Sequence, residues 1–538
     1  MRKVRVIALL LSVCLIFSAC SGTGADTSEL SNGPVAHTES SDYVMHLLYN
    51  ETDSYNPYAV TTKENKELSY LLYDSLITLG TDFEPIYKIA DKITLSGDVC
   101  TVSIKGVTFS DGTRLTENDV VYSARLAMAS STLYSSQLSS VKDVEAVGGK
   151  VVFHLKKADP FFINLLDFPI IKAESENRKS EDNVTLPPIG AGQYVLDVGL
   201  GVLTPNAHYY GEPCKFKKIM LINAPGKESI EHYVSAGVVS VCYSDYNDNT
   251  VPRMSGLKVN VPLNNMVFIG INMSHPLLSN KYLRYALSSA IDRQEIVKEA
   301  YYGNGTVANG PFNPLWKHGE GFQTLENKSN EEISVVNLEK IGYNGIDNEG
   351  YRVNSAKKRI TLSLLVNSDN AARVSAGRLI ADRLSRVGIA VNIQSVPYEE
   401  YLAKLQSGAF DLYLGEVRLL ANMDITQLVT PGGTAAYGIV QKAAENADDA
   451  EKEPAPETEK VPSDTTDGIN LTAADAVAGY YGGTYTLGDV ASAFLSEMPL
   501  IPIMYRSGIA MFTPDIKAAP SVSFADLFID INNYSFEN

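Results

Sequence analysis

Between Arg359 and Val417 the sequence alternates strand and helix patterns in an order that few folds accommodate. Ile360, Leu362, Leu364 and Val366 take every second position, and Ala371 to Val387 is amphipathic with a stop at Gly388. Ile389, Val391, Ile393 and Val396 form a second strand pattern, Tyr398 to Gln406 a short helix ended by Gly408, and Phe410 to Val417 a third strand. This order predicts one compact α/β lobe.

The chain of 538 residues is too long for one ordinary core and predicts several domains. Tyr43 to Tyr49 reads as a buried strand, Asp53 to Tyr58 as a polar, aromatic loop leaving its C-terminal end, and Glu64 to Leu79 as a core-facing helix. Such a loop is where open α/β sheets place ligands. Asp91 to Lys105 alternates around Ser96-Gly97-Asp98 and predicts a β-hairpin. In Phe109–Ser123, Asp111-Gly112 supplies a tight turn, and Thr116 with Asp119 approximates a capping box. The carboxylates of this stretch are therefore read as structural.

The net charge of −18 gives phosphate neutralisation no electrostatic support, so nucleic acid is not expected as a partner. Part of the acidity lies in Ala443 to Gly468, whose Ala, Glu, Asp, Lys, Pro, Ser and Thr cannot offset the entropy of ordering, which predicts a disordered insertion. The spacing of Asp448, Asp449, Glu451 and Glu453 lacks the glycine turn of a calcium loop. Beyond the N-terminal region only Cys100, Cys214 and Cys242 remain, far from any CxxC spacing, so no zinc site or redox pair is predicted. Signatures such as HExxH, GxSxG and GxxxxGK[ST] are missing, which favours a binding protein over an enzyme and implies no cofactor.

At the N-terminus Arg2, Lys3 and Arg5 precede an apolar run from Val6 to Phe17, closed by Ser18-Ala19-Cys20. The run is shorter than the roughly 20 residues that a membrane span needs, and reads as an export signal. Phe17-Ser18-Ala19-Cys20 resembles the lipobox of bacterial lipoproteins, which implies lipidation of Cys20, and the small polar residues from Ser21 onward suit a tether.

The phrase Phe109-Ser110-Asp111-Gly112-Thr113-Arg114-Leu115-Thr116-Glu117-Asn118-Asp119-Val120-Val121-Tyr122-Ser123 resembles one that recurs in the extracellular solute-binding proteins of the oligopeptide, dipeptide and nickel class, solute-binding family 5. Further phrases agree in order. Pro188-Ile189-Gly190-Ala191-Gly192-Gln193-Tyr194 is one; another runs from Asn272 through Pro276 to Ile296, with an apolar face of Leu283, Ala286, Leu287, Ala290 and Ile291. Arg284 and Arg293 in that stretch are read as surface or lobe-packing residues. Met498-Pro499-Leu500-Ile501-Pro502-Ile503-Met504-Tyr505 resembles the family's closing strand.

The resemblance implies a class II periplasmic-binding-protein-like α/β fold, two lobes with a hinge and an additional domain on the N-terminal lobe, with crossings near Gly192 and Val261. It divides the chain into a lipoprotein signal peptide (1–19), a flexible tether (20–42), lobe I (43–90, 193–262 and 496–538), the additional domain (91–192) and lobe II (263–495) with the insertion 443–468. It also implies a monomer, lipid-anchored on the extracytoplasmic face of the cell membrane, that binds short peptides and delivers them to an ABC permease and its ATPase subunits. The alternatives within the fold are a receptor for a metal chelate or haem, for which no histidine pair at ligand spacing is visible, and a peptide-pheromone sensor.

By resemblance and loop placement the ligand-binding candidates are Tyr55, Asn56, Asn272, Trp316, Glu416, Arg418, Asn422, Asp424 and Tyr437. Trp316, the only tryptophan, reads equally as a cleft wall or as core. The family's loop carries an aspartate that holds a peptide's free amino group. If Ala421-Asn422 occupies that place the charge is lost, and Asp424 two positions on could substitute.

Overall fold

The computed structural model describes residues 44–131, 133–245, 254–322, 325, 328–440, 471–517 and 521–535. The signal 1–19, Cys20, the tether 20–42 and the insertion 443–468 lie outside the described residues.

In the N-terminal lobe the buried strand Met45–Tyr49 runs parallel to Ile219–Asn223, and Val202–Pro205 and Tyr194–Asp197 extend that sheet antiparallel. A second four-stranded sheet, ordered Ala90–Ser96, Val99–Ile104, Lys150–Leu155 and Val141–Val147, is the additional domain on this lobe. Its first two strands form the hairpin expected from alternation, turned at Gly97 with a φ of 60°. The helix Glu117–Ala129 packs on this sheet, and its first turn is fixed by Asp119, whose Oδ2 accepts from the Thr116 amide at 2.9 Å and hydroxyl at 2.7 Å. Leu47, Leu71, Phe109, Phe153 and Phe168 belong to one continuous core, so the two sheets are fused rather than tethered.

The helix after the first strand is shorter than its apolar spacing suggests. It spans Lys63–Leu72, and Ile77–Leu79 forms a buried strand instead. The cause is tertiary: the Leu72 carbonyl accepts from the Gly192 amide at 3.1 Å. A Cβ on Gly192 would lie 2.4 Å from the Leu72 carbonyl carbon, so only glycine allows this approach.

The second lobe is built on a seven-stranded sheet in which Thr361–Asn367, Ala390–Val396 and Leu412–Arg418 are the three strands of the α/β segment. Helices Lys281–Ala290 and Ala371–Arg386 bury their apolar faces on one side, and Tyr398–Ser407 and Leu487–Glu497 on the other. Gly388 and Gly408 end their helices in the left-handed region, at φ 84° and 69°. Arg284 and Arg293 are buried and bind backbone carbonyls, Arg284 that of Glu497 and Arg293 that of Pro502, which is a packing role.

Two long antiparallel strands, Lys258–Ile271 and Leu500–Phe512, pass from one lobe to the other. Their C-terminal and N-terminal halves respectively pair within the second lobe, while Leu500–Phe512 ends against Val241–Ser244 of the first. Between Pro262 and Met266 the register breaks, so that Leu263, Asn264 and Asn265 stand opposite the single residue Arg506. The crossing thus lies next to Val261, and Gly192 sits inside the first lobe against Leu72. The three cysteines are free, and burial pushes the Cys100 and Cys242 thiols up to about 12.

Candidate ligand-binding cleft

The bulged crossing forms the floor of a cavity of about 500 Å³ between the lobes. Helix Lys63–Leu72 supplies one wall through Lys66, Glu67 and Tyr70; Arg418, the last residue of its strand, and Phe524 supply the other. A narrower recess of about 40 Å³ shares Lys66, Tyr70, Arg418 and Phe524 and adds Gln137 and Asp167.

Charge in this space is unevenly paired. Neither the Lys66 ammonium nor the Arg418 guanidinium makes a hydrogen bond or ion pair with another described residue, and burial together with Arg418 pushes the Lys66 amine below its ordinary value. Two cations facing one cavity favour an anionic group there. Burial pushes the Glu67 carboxyl up to about 7 despite Lys63 at 3.8 Å, and the Asp167 carboxyl up to about 6 despite Gln137 donating to its Oδ1.

Beneath the floor Glu416 joins both lobe-crossing strands to the helix Ala371–Arg386. Its Oε1 accepts from Arg506 Nη1 at 2.6 Å and Asn265 Nδ2 at 2.9 Å, and its Oε2 from Arg373 Nη2 at 2.8 Å. Burial opposes ionisation, yet the two guanidiniums hold the carboxyl below its ordinary value. Arg506 also donates through Nη2 to the Asp245 carbonyl of the first lobe and lines, with Tyr301 and Asn304, a further cavity of about 190 Å³.

A larger cavity of about 600 Å³ lies elsewhere, lined by Lys157, Thr426, Tyr481 and Glu497. There the Lys157 ammonium sits 3.6 Å from the Tyr481 ring centre and 3.6 Å from Asp424 Oδ2. Among the described residues no group of three His, Cys, Asp or Glu side chains could hold a metal ion, and no helix is long and apolar enough to cross a membrane. The cleft offers complementary charge and hydrogen bonds, which is the equipment of reversible capture.

The family model for bacterial extracellular solute-binding proteins, family 5, matches residues 84–437. The chain belongs to this family. The oligopeptide-binding protein AppA of Bacillus subtilis is 26% identical over 442 residues, covering 76% of this chain and 78% of that protein. Among solved structures, the substrate-binding protein CtaP of Listeria monocytogenes superposes with a TM-score of 0.66 at 17% identity, over 92% of this chain and 99% of that one. NikA of Brucella suis, in complex with Fe(III)-EDTA, superposes with 0.65 at 16% identity, over 91% and 100%. These superpositions show the class II periplasmic-binding fold. As a family 5 protein the chain is a binding protein with an extracytoplasmic place of work.

On this family 5 scaffold the residues singled out from sequence fall into separate neighbourhoods. Arg418 faces the cleft and Glu416 lies under it. Asn422 is buried and donates to Asp159 Oδ2 at 2.8 Å. Asp424 Oδ1 caps Thr426 at 2.8 Å and its Oδ2 faces Lys157. Tyr55 packs on the N-terminal core, its carbonyl accepting from the Tyr73 hydroxyl at 2.9 Å, and Asn56 closes a turn on the Tyr58 amide at 3.0 Å. Asn272 binds the Phe410 carbonyl at 2.9 Å, and Tyr437 meets Tyr413 edge to face. Trp316 is fully buried, wedged between Phe161 and Phe312, and its Nε1 has no hydrogen-bond partner among the described residues.

Lys66, Tyr70, Gln137 and Asp167 line the cleft without having been singled out from sequence. Lys66 and Tyr70 lie on a helix that the sequence marks only as core-facing, and it is Arg418 of the second lobe and Phe524 opposite that make them a wall. The one signal was Asp167 itself, a carboxylate between Leu165-Leu166 and Phe168-Pro169-Ile170-Ile171.

Proposed function

We propose that this family 5 protein captures short peptides in the cleft between its lobes and delivers them to an ABC permease with its ATPase subunits, working as a monomer anchored through lipid on Cys20. The observation that carries this reading is the pair of unpaired cations, Lys66 and Arg418, in a cavity that also holds carboxylates. A peptide carboxylate supplies the missing partner, and the bulged crossing gives the lobes a place to bend as they close on it. A volume of about 500 Å³ falls within the range of roughly 300–1,000 Å³ in which small ligands are enclosed. The relatives named oligopeptide-binding proteins support the same ligand class.

Titration calorimetry with a synthetic pool of di- to pentapeptides tests the reading. Replacing Lys66 and Arg418 together with alanine weakens binding about tenfold or more, since a charge-assisted bond contributes about 1.5–3 kcal/mol. Equal affinity in the double variant contradicts it. Replacing Cys20 with serine releases the protein from the membrane fraction; retention of that variant contradicts the anchor.

A second reading rests on the same two cations, which also suit an anionic metal chelate, the kind of ligand present in the NikA structure. Tighter binding of a metal–polycarboxylate complex than of any peptide in the pool favours this reading over the first.

A further inference from the structure

We propose that residues 157–164 of the additional domain form a clasp, in which Phe161 seats beside Trp316 of the second lobe as the lobes close and withdraws as they open. The inference rests on the lobe closure of the reading above and goes beyond it, since it holds whatever ligand the cleft takes.

The stretch follows the strand Lys150–Leu155 of the additional domain, and its side chains reach the second lobe at intervals along its length. Lys157 Nζ lies 3.6 Å from Asp424 Oδ2 and 3.6 Å from the centre of the Tyr481 ring. Asp159 Oδ2 accepts from Asn422 Nδ2 at 2.8 Å, and Asn164 Nδ2 donates to the Ala421 carbonyl at 3.2 Å. Between these polar contacts Phe161 stands edge-on to Trp316 with ring centres 4.8 Å apart, and its ring centre lies 4.9 Å from that of His318.

The chemistry of the seat suits a contact that is made and broken. Lys157 is exposed, so its ion pair exchanges readily with water. Phe161 is only half-buried although it packs against the second lobe's apolar cluster. Trp316 is fully buried, yet its Nε1 has no hydrogen-bond partner among the described residues. Covering the Phe161 ring favours the seated arrangement, and an indole N–H kept from water without a partner disfavours it. The two oppose each other, which is what a catch that must release requires. The register break between Pro262 and Met266 in the crossing strands gives the lobes their place to bend. By holding the lobes together the clasp raises the closed fraction of the ligand-free protein, and the apparent affinity follows that fraction.

Trp316 is the only tryptophan, so its fluorescence reports the seat directly. Saturating the wild type with the di- to pentapeptide pool shifts the emission to the blue and lowers acrylamide quenching. Phe161→Ala expands the ligand-free protein in small-angle X-ray scattering and weakens binding of the pool about tenfold, while its saturated form scatters like the wild type. Lys157→Ala, at an exposed position, moves both readouts the same way by less and serves where Phe161→Ala fails to fold. Equal shielding of Trp316 in the free and saturated wild type, with the pool bound, overturns the inference and leaves the peptide reading standing. So does a variant that loses melting temperature but keeps both scattering and affinity, as a purely structural contact would. A pool that does not bind the wild type overturns the peptide reading instead, and the ligand-free scattering of wild type and variant then decides the clasp.

Discussion

Asn422 Nδ2 donates to Asp159 Oδ2 at 2.8 Å and joins residues 263 positions apart, one in the loop after the second lobe's strand Leu412–Arg418 and one in the additional domain. Asn164 Nδ2, also of the additional domain, donates to the Ala421 carbonyl at 3.2 Å. The additional domain therefore bridges the lobes as well as resting on the first of them. Burial pushes the Asp159 carboxyl up, against the donation from Asn422.

Asn422→Asp replaces that donor with a second carboxylate. Two buried carboxylates in contact raise each other's affinity for protons. A folded-state value above the unfolded one contributes stability below the unfolded value that is lost as pH rises through the folded one. The variant's melting temperature therefore falls relative to wild type between about pH 4 and pH 7, by the equivalent of about 1–3 kcal/mol. A pH-independent difference contradicts this account of the contact.

Glu416→Ala leaves the Arg373 and Arg506 guanidiniums without the carboxylate that joins them. Removing one partner of a buried ion pair costs about 3–5 kcal/mol. Urea unfolding should show a loss of this size, and a loss below about 1 kcal/mol would place the cluster in solvent.

Glu67 gives a pH signature of the opposite mutational sign. Burial pushes its carboxyl up to about 7, so the stability it contributes is present below the ordinary glutamate value and lost as pH rises through 7. Glu67→Gln abolishes that loss. Its melting temperature gains on wild type between pH 5 and pH 8, and parallel curves over this range would show that Glu67 is solvated.

Gly192→Ala places a methyl group 2.4 Å from the Leu72 carbonyl carbon and 2.6 Å from the Tyr73 amide nitrogen. Neither backbone atom can yield without moving the helix end. Overpacking of this kind costs about 1–3 kcal/mol in denaturant unfolding, and a neutral substitution would contradict the close approach.

The elements of this fold are legible where a local period is strong. The alternation of Ile360–Val366 and the stops at Gly388 and Gly408 mark the second lobe's strands and helices, and Thr116 with Asp119 marks a helix start. What escapes the sequence is decided at a distance. Leu76 and Ile77 prolong an apolar pattern that Gly192 cuts short from more than a hundred residues away. Arg418 stands where a loop follows its strand, which the sequence shows, whereas Lys66 and Asp167 become neighbours only when the additional domain packs on the first lobe. Trp316 shows the converse: a Pro/Gly-rich approach is compatible with a cleft wall, and Phe161 of the additional domain makes it core.

Native mass spectrometry of the protein purified from cells tests the central claim that the cleft around Lys66 and Arg418 holds a short peptide. The wild type should carry added masses that fragment as di- to pentapeptides, and the Lys66→Ala, Arg418→Ala double variant should emerge bare under the same conditions. Peptide masses retained in full by the double variant would contradict the account.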